Sequence, residues 1–295
     1  MVAAVAAAPA PSYRPPWLQR VSSTTQTLRI PPLQGHRRFL HDVFVKSATS
    51  GYVDISVGNT TWLRIYHNLA QATLISDLTA RAGEYGFLWW LQQRIPDFPT
   101  INASQDEPIT INASAPITRI DAYWSDVEGG DVTSRSLPGG SQSARHLFIL
   151  NLSNPNPVTA DGLYDLNRLD MPVGATIFSD GTRMAPNIRF TVYMIAGNFP
   201  KSGNSKTTRI HIVDEFIELF TSENKEGLSA DPDVGNELSF SLAPLRVFWL
   251  PQPYTFEPNR LITFKGEADH DGTNDLPAGS QQLFLVGIRE FIGGA

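Results

Sequence analysis

Cysteine is absent from this chain of 295 residues. Disulfide bonds, zinc–thiolate sites and thiol catalysis are therefore excluded as sources of stability or function. With 41% hydrophobic residues, the chain is nevertheless long enough to bury a full core. We expect packing alone to hold the fold together, in one elaborated β domain or in two smaller ones.

A strong charge of one sign and long apolar runs are also lacking. The formal net charge is −6, and the 23 basic residues are scattered singly or in pairs such as Arg37 and Arg38. Because this distribution offers no basic stripe for phosphates, we expect no direct nucleic-acid partner. No stretch approaches the roughly 20 apolar residues that a membrane-spanning helix requires, so no such helix is expected.

The motifs of the common catalytic centres are missing as well. The sequence contains no Gly-x-Ser-x-Gly elbow, no His-Glu-x-x-His zinc motif and no glycine-rich phosphate loop. The histidines are dispersed, and none stands two or four residues from another, the spacing that would preorganise a zinc ion. We therefore predict a protein that is not an enzyme and that holds no cofactor.

Alternating apolar and polar residues, typical of half-buried strands, recur along the chain. The clearest case is the pair of runs 52–57 and 61–65, which the turn residues between them predict to be a β-hairpin. Further strands are predicted at residues 27–30, 109–113, 117–124, 146–152, 175–178, 188–195, 208–213, 238–242, 245–250, 261–265 and 282–288. This pattern predicts a mainly β fold, a jelly-roll-like barrel or sandwich with long loop insertions.

Two stretches are predicted to be helical instead. Residues 67–94 can be helical in part and end before Pro96. Residues 214–224 follow the spacing of a short amphipathic helix, with acidic residues at its start. The apolar face of that helix would consist of Val213, Phe216, Ile217 and Phe220.

The first 24 residues combine an alanine/proline tract with Tyr13 and Trp17, a composition that favours extended chain over a packed element. We predict a flexible N-terminal arm at 1–24 and an elaborated β-barrel domain at 25–295. The arm is either a disordered tail or a segment that docks on a neighbouring subunit. The glycine-rich run 128–144 is a candidate internal domain boundary.

One oxygen-rich cluster has some of the features of a calcium loop. Its candidate ligands are Asp269, Asp271, Asn274 and Asp275. Acids at alternate positions with a glycine at the bend suit a hard cation, but this glycine comes two positions early and no glutamate closes the loop. A plain solvated turn is the favoured interpretation, and calcium is the alternative.

The aromatic residues are mostly core candidates, but some of them fit a contact between subunits. The run 248–254 is unusually apolar for a strand that enters a proline-rich bend. The predicted interface residues are Tyr13, Trp17, Phe248, Trp249, Tyr254 and Phe256.

The layout resembles the larger major capsid protein of tailless icosahedral double-stranded DNA viruses with an internal membrane. The shared features are the Pro/Ala arm at 1–24, the hairpin at 52–65, many strands with large loop insertions, and the absence of cysteine. The resemblance implies a single upright β-barrel, soluble before assembly, that builds the virion shell with copies of itself and a smaller capsid protein beside a lipid membrane. The mild charge favours the branch that infects thermophilic bacteria.

Two other classes of function remain open. The first is a β-sandwich binding module of the phage-fibre or carbohydrate-binding type, which would use the loops 129–144 or 267–280, with or without calcium. The second is an unrecognised hydrolase, which is the least favoured.

Overall fold

The structure is a computed structural model, and it describes residues 19–47, 51–67, 87–92, 94–96, 98–128, 145–171, 176–220, 228–231 and 246–292. The mainly β fold predicted from the sequence is confirmed, since several antiparallel sheets make up most of it. No helix among these residues is long and apolar enough to cross a bilayer.

The first eight strands form one β-sandwich, which we call the first sandwich. Its elements are β1 Gln19–Ser23, β2 Thr27–Ile30, β3 His36–Ser47, β4 Gly51–Val57, β5 Thr60–His67, α1 Phe87–Gln92, β6 Ile101–Ala103, β7 Ile109–Ala113 and β8 Ile117–Glu128. One sheet has the order β1-β8-β3-β6 and the other has the order β2-β7-β4-β5. This is the strand order of a jelly roll, in which Greek-key connections carry the chain back and forth between two sheets.

The remaining strands form the second sandwich. They are β9 Arg145–Ser153, β10 Gly162–Asp165, β11 Arg168–Leu169, β12 Phe178–Asp180, β13 Arg183–Met184, β14 Ile188–Asn198, β15 Lys206–Asp214, β16 Ile217–Glu218, β17 Leu228–Ser229, β18 Arg246–Phe256, β19 Ile262–Asp269 and β20 Gln282–Phe291. Without the short β11, β12, β13 and β17, its sheets run β9-β20-β14-β18 and β10-β19-β15-β16. The second sandwich therefore repeats the strand order of the first.

The two jelly rolls change the predicted domain organisation. We predicted one elaborated barrel at 25–295, with two smaller β domains as the alternative, and the resemblance implied a single upright barrel. The described strands form two sandwiches. The change from one to the other falls between Glu128 and Arg145. The predicted boundary at 128–144 lies, apart from Glu128, outside the described residues.

The sheet β9-β20-β14-β18, which we call the shared sheet, is apolar on both faces. On β20, Leu283 and Leu285 belong to the core of the second sandwich, whereas Phe284 and Val286 belong to the cluster that fills the first sandwich. Burial on both faces explains why this strand has a continuous apolar run in place of an alternating pattern. The shared sheet joins the two sandwiches into one packed unit.

The described part of the predicted arm is a strand. Residues 19–23 form β1, which pairs with β8 from Gln19↔Trp124 to Ser23↔Ile120. Residues 19–23 of the predicted arm therefore belong to the first sandwich, and residues 1–18 lie outside the described residues. Tyr13 and Trp17 lie outside the described residues.

The predicted hairpin at 52–65 is confirmed as β4 and β5, which pair from Gly51↔His67 to Val57↔Thr60. The predicted helical stretch 67–94 is confirmed only for α1, because His67 ends a strand and residues 68–86 lie outside the described part. The helix predicted at 214–224 is wrong over its described part. Asp214 instead ends β15, and the chain turns back at once into β16.

Candidate functional site

Phe256, one of the predicted interface residues, is a core residue. Its side chain is only 2% exposed. Its ring stacks on Phe190 with centroids 6.4 Å apart, and it meets Phe264 edge-on at the same distance. Because these contacts bury it inside the second sandwich, we withdraw Phe256 as an interface residue.

Tyr254 is half-buried, and its polar end is used within the chain. Its hydroxyl donates a hydrogen bond of 2.7 Å to Oδ2 of Asp214 at the end of β15. Burial, followed by that hydrogen bond and the negative charge of Asp214, raises the pKa of Tyr254 to about 12. Tyr254 therefore ties the two sheets of the second sandwich together, and this contact does not depend on a second subunit.

Phe248 and Trp249 are half-buried on β18, the outermost strand of the shared sheet. The Phe248 ring meets Phe220 edge-on at 5.9 Å, and the guanidinium of Arg94 lies 5.8 Å from the Trp249 ring centroid. Residues 251–253, which follow them, are exposed and include two prolines. Prolines on an outer strand discourage uncontrolled pairing with other strands, and Phe248 and Trp249 remain predicted interface residues.

A more exposed apolar surface lies where a helix was predicted. Phe216 is 95% exposed, Ile217 is 60% exposed and Leu261 is 39% exposed. We call these three residues the Phe216 tip. They are brought near one another because the turn between β15 and β16 is hydrogen-bonded to Leu261, at the start of β19, where Asp214 is paired with Ile262. Sequence periodicity missed this surface, since Phe216 and Ile217 also fit a helical face.

Hydrogen bonds hold the tip in a strained turn. Glu215 has a φ of 57°, in the left-handed region that favours glycine and costs other residues about 1–2 kcal/mol. Its backbone N–H donates to the carbonyl of Leu261 at 2.9 Å, and its Oε1 accepts from the N–H of Leu261 at 3.0 Å. The side chain of Glu215 thus stabilises the conformation that its backbone resists.

The first sandwich contains the same turn with a permissive residue. Gly58 also has a φ of 57°, and its N–H donates to the carbonyl of Pro108 at 2.9 Å. In both sandwiches, two residues join the paired ends of the fourth and fifth strands: Val57 pairs with Thr60, and Asp214 pairs with Ile217. Asn59 therefore occupies the position that corresponds to Phe216.

The candidate calcium loop is organised around its own hydrogen bonds. The carboxylate of Asp271 accepts from the backbone N–H groups of Thr273, Asn274 and Asn204 and from the side-chain amide of Asn274, at 2.8–2.9 Å. These bonds, led by the amide of Asn274, hold the pKa of Asp271 far below its usual range. Asp275 faces the His270 ring at 3.2 Å. This geometry is that of a hydrogen-bonded turn, so we do not propose calcium here.

A set of ion pairs centred on Arg64 lies where the two sandwiches meet. Arg64 on β5 makes a bidentate ion pair with Asp54, both distances being 2.8 Å. It also donates to Asp170, beyond β11, at 3.0 Å and lies 3.7 Å from the Tyr52 ring centroid. Arg64 therefore connects the first sandwich to the second.

His146 and Arg289 are opposite each other on β9 and β20. The His146 ring meets Trp62 of the first sandwich edge-on at 4.6 Å. Burial, and then the positive charge of Arg289, lowers the pKa of His146 to about 4. Burial also lowers the pKa of Arg289 to about 10, and its guanidinium lies 5.0 Å from the rings of Phe148 and Phe291. His146, at the contact between the two sandwiches, is therefore neutral at neutral pH.

Comparison with known proteins adds no family to this description. The chain matches no protein-family model and no curated protein sequence. Within the described ranges, no group of three or more histidine and acidic side chains is placed to hold a metal ion.

Proposed function

We propose that this chain is a structural virus capsid protein, soluble before assembly, that builds an icosahedral shell with copies of itself and a smaller partner. In this proposal the chain has no catalytic role, and its place is in the virion, next to an internal lipid membrane. The resemblance of the sequence layout motivates the identity of the virus group.

The observation that carries the proposal is the pair of jelly rolls joined through the shared sheet. Eight-stranded jelly rolls recur in viral capsid proteins, although lectins and cupins also use this fold. A shell subunit has to keep its shape while many weak contacts are repeated by symmetry. Burial of the shared sheet on both faces and the Arg64 ion pairs suit such a rigid block.

The two jelly rolls alter one part of the expectation. The resemblance implied one upright barrel per chain, whereas each copy of this chain would contribute two barrels to the shell. The proposal keeps the assembly role and gives up the single barrel.

The binding-module alternative was assigned to the loops 129–144 and 267–280, of which 129–144 lies outside the described residues. The outer surface of the sheet β10-β19-β15-β16 does not add a sugar-binding platform to it. Carbohydrate platforms favour exposed aromatic rings, but this surface carries ion pairs. Arg209 lies 3.8 Å from Glu267, and Lys265 lies 3.8 Å from Asp165. We therefore prefer the structural role.

Light scattering coupled to size-exclusion chromatography, over a concentration series of the purified full chain, tests the proposal. We expect the mass to rise with concentration and negative-stain images to show shells, sheets or discrete regular assemblies. A monomer mass at every concentration, with dispersed single molecules in the images, would contradict the proposed function.

A further inference from the structure

We propose that the Phe216 tip is a contact point between two copies of this chain. The inference deepens the proposed function and rests on its claim that the chain self-assembles. It commits to a second copy as the occupant of the tip.

Exposure and fixed geometry together point to a contact. An isolated exposed leucine needs no explanation, but a phenylalanine that is 95% exposed beside two further exposed apolar residues forms a local apolar surface. The two hydrogen bonds between Glu215 and Leu261 hold the turn in place. An anchor that is ordered before binding loses less conformational entropy when it docks.

The comparison of the two turns adds a second argument. In the first sandwich, Gly58 occupies the left-handed position of the corresponding turn, and the polar Asn59 follows it. The second sandwich keeps Glu215 at the left-handed position and places Phe216 at the tip. Backbone strain that a glycine would relieve, combined with an apolar residue in solvent, is a pattern found at functional surfaces.

The charges around the tip favour a second copy over a lipid surface. Exposed Arg183 and Arg260 lie next to it, since Arg183 is bridged to Leu261 and Arg260 precedes it in the chain. Acidic residues belong to the same neighbouring segments: Asp180 is opposite Arg183 in the β12–β13 hairpin, and the turn that leads to Leu261 starts at Glu257. Membrane-binding surfaces are mostly basic, whereas an apolar centre with charges of both signs at its rim can complement another copy of itself.

The test compares three variants of the full chain by sedimentation velocity over a concentration series. Phe216→Ala should weaken self-association at least ~10-fold, as expected for a contact anchor. Asn59→Ala, at the corresponding turn of the first sandwich, and Leu163→Ala, a 60% exposed leucine on β10, are the matched controls. Both controls should change self-association by less than about threefold. Thermal unfolding should be nearly unchanged for Phe216→Ala, because its side chain is in solvent.

Each result bears on the tip and on the proposed function separately. If the wild type assembles and Phe216→Ala assembles equally well, the tip inference is wrong and the capsid role stands. If the wild type forms only a dimer and Phe216→Ala abolishes that dimer, the tip inference holds and the proposal that the chain builds a shell is wrong. A monomeric wild type overturns both. Phe216-dependent flotation of that monomer with phosphatidylcholine vesicles would identify lipid as the occupant.

Discussion

Replacing single residues on the two faces of β20 probes the packing of the shared sheet. Phe284 and Leu285 are neighbours in the chain, and they are 3% and 0% exposed. Phe284 points into the cluster of the first sandwich and Leu285 into that of the second. In an isolated sandwich the outward face of this strand would meet solvent, so Phe284→Ala would cost little.

In the shared sheet, both substitutions remove a buried side chain and leave a cavity. Phe284→Ala should lower the free energy of unfolding by about 3–5 kcal/mol, and Leu285→Ala by about 2–5 kcal/mol. Leu163→Ala, at a 60% exposed position, should change it by less than about 0.5 kcal/mol.

The measurement is urea unfolding followed by tryptophan fluorescence and circular dichroism, at a protein concentration where self-association is negligible. Because the sandwiches share a wall, both probes should report one transition. A cost below about 1 kcal/mol for Phe284→Ala, beside a full cost for Leu285→Ala, would refute burial of the sheet on both faces.

Three further predictions follow from the polar groups. Arg64→Ala should destabilise the protein by about 2–3 kcal/mol in urea unfolding, because it leaves half-buried Asp54 without its ion pair. Arg189→Ala, which breaks a more exposed ion pair, should cost less than about 1 kcal/mol, and equal costs would contradict a stabilising role for the Arg64 ion pairs. The pKa of His146 is about 4 in the folded chain, whereas a histidine in the unfolded chain has a pKa of 6.5. Between these two pH values the unfolded chain binds one more proton than the folded chain, so the free energy of unfolding should fall by up to ~3 kcal/mol from pH 6.5 to 4. His146→Gln should flatten this slope in unfolding measured against pH, and an unchanged slope would rule out the assignment. Calcium or excess chelator should shift the melting temperature by less than about 1 °C because Asp271 is already saturated by N–H donors; a clear rise with calcium would revive the binding-module hypothesis.

The fold class followed from the sequence because most strands keep a readable pattern. One of the two longest strands of the first sandwich, β3, was not predicted. Its register shifts between Leu40 and Asp42, so that Asp42 and Val43 are both buried and the alternation breaks. The basic residues at 36–38, where the strand begins, also do not follow the alternating pattern that predicts a strand.

The wrong helix at 214–224 shows how short periodic patterns mislead. Spacings of three and four residues fit a helical face, but they also occur by chance across a hairpin. The deciding feature is the left-handed backbone of Glu215, and a glutamate gives no sequence signal for it. The Phe216 tip was therefore out of reach of sequence reasoning.

The sequence pattern did not distinguish two sandwiches from one large barrel, for a different reason. A strand that is apolar on both faces, such as β20, looks the same in one large barrel as in a wall between two. Likewise, the prolines at 251 and 253 suggested the end of a strand, yet β18 continues through them to Phe256 because an outer strand tolerates proline.

Electron cryomicroscopy of the full chain at high concentration tests the central claim most directly. We expect regular particles in which every copy contributes two jelly-roll barrels and Phe216 lies against a neighbouring copy. Single molecules at every concentration, or particles whose subunits show one barrel each, would contradict the account.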